Sequence, residues 1–189
     1  YTYAENPFGY WLKDYFEMSG MEMMQGKSLL PAIENNVKIR DFALFGIFGA
    51  QVGITDGDYV YLRSNATDKN QPLFEYTLMF TDQRSFKPLK QLSTMELYDG
   101  FRFTKGIPVA KIKTNSWLDT YRMGHTLFDL RIDPGQTNPV KNAEKEIEMI
   151  NALITMLKSS EAPSEQYVRL GLLGQYTPKR IQSEELERV

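Results

Sequence analysis

Between Leu127 and Lys158 the chain spells a strand, a turn and a long helix in immediate succession. Leu127-Phe128-Asp129-Leu130-Arg131-Ile132 is an apolar strand-like run, and Asp133-Pro134-Gly135 follows as a turn. Asn138 suits an N-cap and Pro139 the first helical position. Ala143, Ile147, Ile150, Ile154 and Leu157 then recur at helical spacing and define the apolar stripe of a helix running to about Lys158. A long helix with one apolar stripe has to be covered, and the strands upstream are its nearest cover.

Those strands are legible. Residues 38–55 read as one strand, interrupted by Gly46, Gly49 and Gly53, which suggest bulges or a close backbone approach. Thr55-Asp56-Gly57-Asp58 is a hairpin turn, because Asp-Gly supplies the positive φ such turns require. Tyr59-Val60-Tyr61-Leu62-Arg63 returns, with Tyr59, Tyr61 and Arg63 on one face. Ser64 to Pro72 is a polar loop, and Leu73 to Phe80 is a third strand. Residues 81–123 mix short apolar pieces with Gly and Pro, and only Val109-Ala110-Lys111-Ile112 stands out as strand-like; so long an excursion is more often functional than idle. Thr126–Ile132 is the fourth strand. Ala162-Pro163 ends the long helix, and Ser164 caps a shorter one to Leu173.

Near the beginning, Trp11, Tyr15 and Met18 share one helical face, with Ser19-Gly20 as the stop, and Ser28 through Ile33 form a short helical turn. Antiparallel hairpins before one long helix predict an α+β fold: a small antiparallel sheet of about four strands with the C-terminal amphipathic helix packed on one face. Residues 1–34 form one part, 35–175 a compact subdomain, and 176–189 a flexible polar tail. The opening Tyr1-Thr2-Tyr3-Ala4-Glu5-Asn6 reads as an internal start, which leaves an upstream signal peptide open.

Composition removes whole classes of function. With 22 basic and 24 acidic residues and a net charge of −2, there is no electrostatic footprint for nucleic acid. Cysteine is absent, which rules out disulfides, thiolate metal sites and a cysteine nucleophile. One histidine, His125, cannot build a multi-histidine zinc site. No apolar run approaches the roughly 20 residues that span a bilayer as a helix. The compartment stays open.

Five segments, in order, resemble sulfatases. Met24-Gln25-Gly26-Lys27-Ser28-Leu29-Leu30-Pro31 is similar to a Met-Gln-Gly-x-Ser-Leu-Leu-Pro segment of that family. Phe45-Gly46-Ile47-Phe48-Gly49 with Val52 to Arg63 resembles the hairpin that follows it. Pro72 to Leu78 and Phe103-Thr104-Lys105-Gly106 resemble a bacterial-type branch, and Leu127 to Gln136 closes the set. The resemblance implies the end of the catalytic domain over residues 1–34 and the carboxyl-terminal subdomain over 35–175 of an enzyme of the alkaline-phosphatase-like superfamily, which hydrolyses sulfate esters. In that family a Cys or Ser in Cys/Ser-x-Pro-x-Arg becomes formylglycine, whose hydrate attacks sulfur beside a divalent cation, usually calcium, held by carboxylates and an Asn. This sequence has neither a cysteine nor Ser-x-Pro-x-Arg. The resemblance therefore implies that nucleophile and cation lie upstream, that no cofactor is held here, that the partner is an N-terminal catalytic domain, and that the chain alone is inactive. The alternatives are a non-catalytic binding module of sulfatase-like fold, or part of a phosphonate or phosphate monoester hydrolase.

Three residues are candidate contributors to a substrate rim: Lys105 as an ammonium for a sulfate or acid group, Gln51 projecting from a bulged strand, and His125 beside Gly124. Their plainer readings are a solvated lysine, a bulge serving sheet twist, and a satisfied structural histidine. Asp56, Asp58 and Asp68 lack calcium-loop spacing and read as turn residues, as does Asp133. Met18, Met21, Met23 and Met24 suit a packing surface against the catalytic domain or a second copy. Asn65-Ala66-Thr67 matches a glycosylation sequon, a pattern that also arises by chance.

Overall fold

The computed structural model describes residues 15–16, 27–81, 85–118 and 120–173. Most of the expected helix over 10–18, the methionines Met18, Met21, Met23 and Met24, and the tail 176–189 lie outside the described residues. The fold is α+β, built from two antiparallel sheets and a long helix. Helix α1, Leu30–Asn35, takes Pro31 in its first turn and closes on left-handed Asn36, whose N–H reaches the Ala32 and Pro31 carbonyls. It lies within the expected helical turn at its start and runs two residues further.

Strands β1 (Ala43–Gly46), β2 (Val52–Thr55), β3 (Tyr59–Arg63) and, much later, β7 (Thr126–Asp129) form a four-stranded sheet in the order β1-β2-β3-β7. The single strand expected over 38–55 is in fact a hairpin. Its turn spans 47–51, with Gly49 at φ +72, where a Cβ would meet the Ser116 side chain at 2.7 Å. Gly53 lies opposite Phe45 in the ladder, and a Cβ there would strike the Phe45 ring at 2.4 Å. The glycines thus mark one turn and one close approach, not a punctured strand. The Asp-Gly hairpin forms as expected: Asp56 Oδ1 accepts from the Asp58 and Tyr59 amides at 2.9 and 2.7 Å, and Gly57 takes φ +101.

The third expected strand leaves this sheet. Strand β4 (Phe74–Thr77) pairs with β6 (Val109–Lys113), which pairs with β5 (Glu96–Tyr98), in the order β4-β6-β5. The long excursion 81–123, which also contains the short helix α2 (Leu89–Leu92), therefore supplies two of three strands of a second sheet. Alternation alone reveals a strand but not which strand it meets, so the expectation of a single sheet was incomplete.

Strand β7 ends at Asp129, three residues before the expected end. The Asp129 carboxylate accepts from the Arg131 amide at 3.1 Å and its carbonyl from Asp133 at 2.9 Å, which bends the chain early. The Asp133 carboxylate then holds the amides of Thr137 and Asn138, both at 2.7 Å, and Val140 donates to Leu127 O at 2.7 Å. Those amides are engaged outside any helix, so Asn138 does not cap and Pro139 does not start one. Helix α3 spans Ala143–Ser159, and Asn142 is its N-cap, accepting from the Lys145 amide at 3.1 Å. Helix α4 is Ser164–Arg169, shorter than expected, with Pro163 rather than Ser164 at the cap position. Left-handed Gly171 ends it, and Leu172 N–H returns to Tyr167 O at 2.8 Å.

The core lies where α3 crosses the first sheet. Met149, Ile150, Leu153, Ile154 and Leu157 pack on Ile54, Tyr61 and Leu127, joined by Tyr167, Leu170 and Leu172 from the last turn of chain. Ile150, Ile154 and Leu157 were expected there. Ala143 and Ile147 are not: Ile147 is 58% exposed, because the buried face is rotated toward Met149 and Leu153.

Candidate functional site

At one end of the first sheet the β1–β2 turn meets the segment that enters β7. Gln51, in that turn, donates from Nε2 to Gly124 O at 2.9 Å. Gly124, at φ +64, ends a 3-10 turn over Tyr121–Met123 and places His125 just ahead of β7. His125 Nδ1 accepts from the Ser64 amide at 3.2 Å, so the neutral ring carries its proton on Nε2. Burial, and then the charge of Arg63, hold the imidazole below its usual range. The fold therefore brings Gln51 and His125 to one rim, joined through Gly124, although 73 residues separate Gln51 from Gly124 in sequence. The Gln51 amide is engaged on backbone and acts as a clasp.

Beneath this rim is a satisfied polar layer. Asn65 is 2% exposed; its Oδ1 accepts from Thr120 Oγ1 at 2.7 Å and its Nδ2 donates to Thr67 O at 2.6 Å. A glycan has no access to that nitrogen in the folded chain, so the sequon is structural. Arg63 donates to Leu170 O at 2.8 Å, Gly171 O at 3.1 Å and Tyr61 Oη at 3.1 Å, while Tyr61 donates to Glu146 Oε1 at 3.1 Å. Arg169, 2% exposed, reaches Gln166 Oε1, Asn70 Oδ1 and Ala50 O at 2.7, 3.0 and 3.2 Å. Burial pulls its guanidinium down to about 10, which still leaves it charged at neutral pH. All three of these acceptors are neutral. The guanidinium binds the end of α4 to the β1–β2 turn and to the 64–72 loop.

Lys105 stands elsewhere, on the β5–β6 connection of the second sheet. A 3-10 turn over Arg102–Thr104 precedes it, and Lys105 itself is left-handed at φ +54. Its amide donates to Arg102 O at 3.1 Å. The backbone beside it frames a cleft of about 450 Å³ lined by Tyr98, Asp99, Phe101, Arg102 and Glu161, with Gly100 and Gly106 completing its wall. Tyr76, Tyr98 and Phe101 pack edge-on or tilted at 5.0–5.3 Å, and Phe103 stacks on Phe101 at 5.1 Å with the rings 4° from parallel. Sequence reasoning picked Lys105 and missed the cleft. The signal lay in Tyr98-Asp99-Gly100-Phe101-Arg102-Phe103, three aromatic rings interleaved with charges around one glycine.

Of the acidic residues weighed as calcium ligands, Asp56 is engaged by its neighbours. Asp56 holds the hairpin turn and pairs with Lys145 at 2.7 Å. Burial alone would raise its carboxyl, but Lys145 and the Tyr59 and Asp58 amides outweigh that and lower it. Asp129 is held far below the usual carboxylate range by Arg131, which also lies over the Tyr59 ring. Glu165 pairs with Lys111 and accepts from Tyr76 Oη at 2.9 Å, joining α4 to the second sheet. Among the described residues no group of three or more His, Cys, Asp or Glu side chains could hold a metal ion. With no cysteine and no Ser-x-Pro-x-Arg in the sequence, the residues present fit neither formylglycine nor its calcium. No helix among the described residues is long and apolar enough to cross a membrane. No protein-family model matches the chain, and no curated protein matches it.

Proposed function

We propose that this chain is the carboxyl-terminal subdomain of a sulfatase, an enzyme that hydrolyses sulfate esters. In this reading it packs on a catalytic domain and supplies part of the substrate rim, while nucleophile and cation are held by that domain. The observation that carries the reading is α1. It begins within Ser28-Leu29-Leu30-Pro31, the end of the first of the five segments that resemble the family, yet it buries none of its residues among the described part of the chain. A six-residue helix has too few hydrogen bonds to persist without tertiary contact. The apolar Ile33 and Val37 at its end are likewise exposed. Exposed apolar residues of this kind suit contact with a surface outside the described residues, such as that of a catalytic domain.

Further support comes from the order of the matching segments on the fold. They run from α1 through the β1–β2–β3 hairpins and the second sheet to β7, the last strand, and α3 then covers the sheet. Gln51 and His125 stand at one end of that first sheet, a position that suits a contribution to a rim. The test is the reading frame upstream of Tyr1. Cys-x-Pro-x-Arg or Ser-x-Pro-x-Arg within a preceding domain is the expected result; an unrelated domain there would overturn the proposal.

A further inference from the structure

Asp-Gly occurs twice in the chain, at Asp56-Gly57 and at Asp99-Gly100, and the fold treats the two pairs differently. In such a pair the glycine nitrogen can attack Cγ of the aspartic acid, and with no Cβ on the glycine little crowds the approach. At Asp56 each participant is held. Oδ1 accepts from the Asp58 and Tyr59 amides at 2.9 and 2.7 Å, and Oδ2 pairs with Lys145 at 2.7 Å. The Gly57 nitrogen that would attack donates to Thr55 Oγ1 at 3.0 Å. Burial raises the Asp56 carboxyl, but Lys145 and the same two amides outweigh it and lower it, which leaves less of the neutral acid whose hydroxyl can depart. Asp99 has none of these restraints among the described residues. It is exposed just past the end of β5, and its carboxylate takes part in no hydrogen bond or ion pair there. The Gly100 nitrogen likewise donates to no acceptor there, whereas the next amide, of Phe101, donates to Thr104 Oγ1 at 2.9 Å.

We propose that Asp99-Gly100 is a self-modification site that forms isoaspartate, and that the change releases the β5–β6 connection from the end of α3. The Gly100 nitrogen bonds to Asp99 Cγ and loses its proton; the Cγ–OH bond of the neutral acid breaks, and proton and hydroxyl leave as water. The cyclic succinimide then takes up water at either carbonyl. Opening at Cγ restores aspartate. Opening at the former main-chain carbonyl gives isoaspartate, in which Cβ and Cγ of residue 99 carry the main chain. No reactant other than water enters. Isoaspartate adds one carbon to the path between Tyr98, the last residue of β5, and Arg102. That path has no slack. The Arg102 amide donates to Glu161 Oε2 at 2.7 Å, and Gly100, at φ +90, is folded so tightly that a Cβ would lie 2.4 Å from Ile107 O. The added carbon displaces both, and the Arg102–Glu161 clasp opens. The proposal goes beyond the sulfatase reading and does not rest on it.

The test ages the 189-residue chain in mildly acidic buffer, folded and in urea, and reads tryptic peptides by mass spectrometry and by labelling with an isoaspartyl methyltransferase. Trypsin releases the two pairs separately, on Gln91–Arg102 and Asp41–Arg63. In the folded chain isoaspartate should accumulate on Gln91–Arg102 at least about tenfold faster, because Asp56 must first lose several hydrogen bonds. In urea, which removes those bonds, the two peptides should convert at similar rates. Asp99→Glu, whose ring would be one atom larger, should stay unmodified at that position and melt as the parent does. Asp99→Asn should reach the same isoaspartate faster, with loss of ammonia. In the aged chain, hydrogen exchange should show a fast-exchanging Arg102 amide in the same fraction as the isoaspartate. Equal or slower conversion on Gln91–Arg102 in the folded chain, a rate difference that persists in urea, or an unchanged Arg102 amide would each overturn the proposal. Because the readout is a change within this chain, it can fail while the upstream motif is found, or succeed while that motif is absent.

Discussion

Arg169 shows how a single residue can join distant parts of the chain. Its guanidinium sits among Gln166, Asn70 and the Ala50 carbonyl, with no carboxylate among those partners. Removing it strands two of these acceptors away from water, so Arg169→Ala should lose about 3 kcal/mol in urea unfolding. Arg169→Lys should recover little of that, because an ammonium cannot span three acceptors set in a fork. His125 governs a pH response. Its folded-state pKa lies below the ordinary 6.5, so the unfolded chain binds the proton more readily. Stability is therefore full above 6.5 and declines as pH falls below it, until the folded ring also protonates. The lowered carboxyls of Asp56 and Glu165 act in the same direction further down, below their ordinary 3.8 and 4.5. Melting temperature should fall in two stages on acidification, and His125→Gln should remove the first stage only. His125 itself is plain in the sequence; that Ser64 and Arg63 are its neighbours is not, since they join it across the sheet.

At the scale of elements, the helix α3 and the Asp-Gly hairpin are legible because each is written by local rules. Helical spacing marks Ile150, Ile154 and Leu157, and positive φ at Gly57 marks the turn. Element ends are less legible, since they depend on which backbone groups are already engaged. Asp133 and Leu127 hold the 137–140 amides, so the cap passes from Asn138 to Asn142. Asn142→Ala should therefore lose about 1 kcal/mol, and Asn138→Ala, which caps nothing, clearly less, by thermal or chemical unfolding. The rotated face of α3 has its own check. Leu153→Ala should lose about 2–4 kcal/mol, whereas Ile147→Ala should be near neutral. Gly49 belongs here too. At φ +72 with Ser116 at 2.7 Å, Gly49→Ala should lose about 1–2 kcal/mol through strain in the β1–β2 turn.

Across the whole molecule, apolar side chains remain uncovered well beyond α1. Leu97 on β5 is 81% exposed and Trp117, after β6, is 84% exposed. Such residues suit a chain that meets another surface. The isolated chain should therefore self-associate in size-exclusion chromatography, and it should show no turnover of 4-nitrophenyl sulfate. A clean monomer would weaken the docking role, and enzyme-like turnover would overturn the reading of a chain without its nucleophile. The amino-acid order by itself determined the α+β class, the long helix, the hairpin at Asp56-Gly57 and the absence of any cysteine chemistry, because periodicity, turn propensity and composition act locally. Tertiary structure alone decided that β4 leaves the first sheet for β6, that Gln51 closes on Gly124, and that Tyr98, Asp99, Phe101 and Glu161 share one cleft. Those outcomes turn on which strand edges and loops meet across tens of residues, and pairing over that distance is set by the packing of the assembled chain.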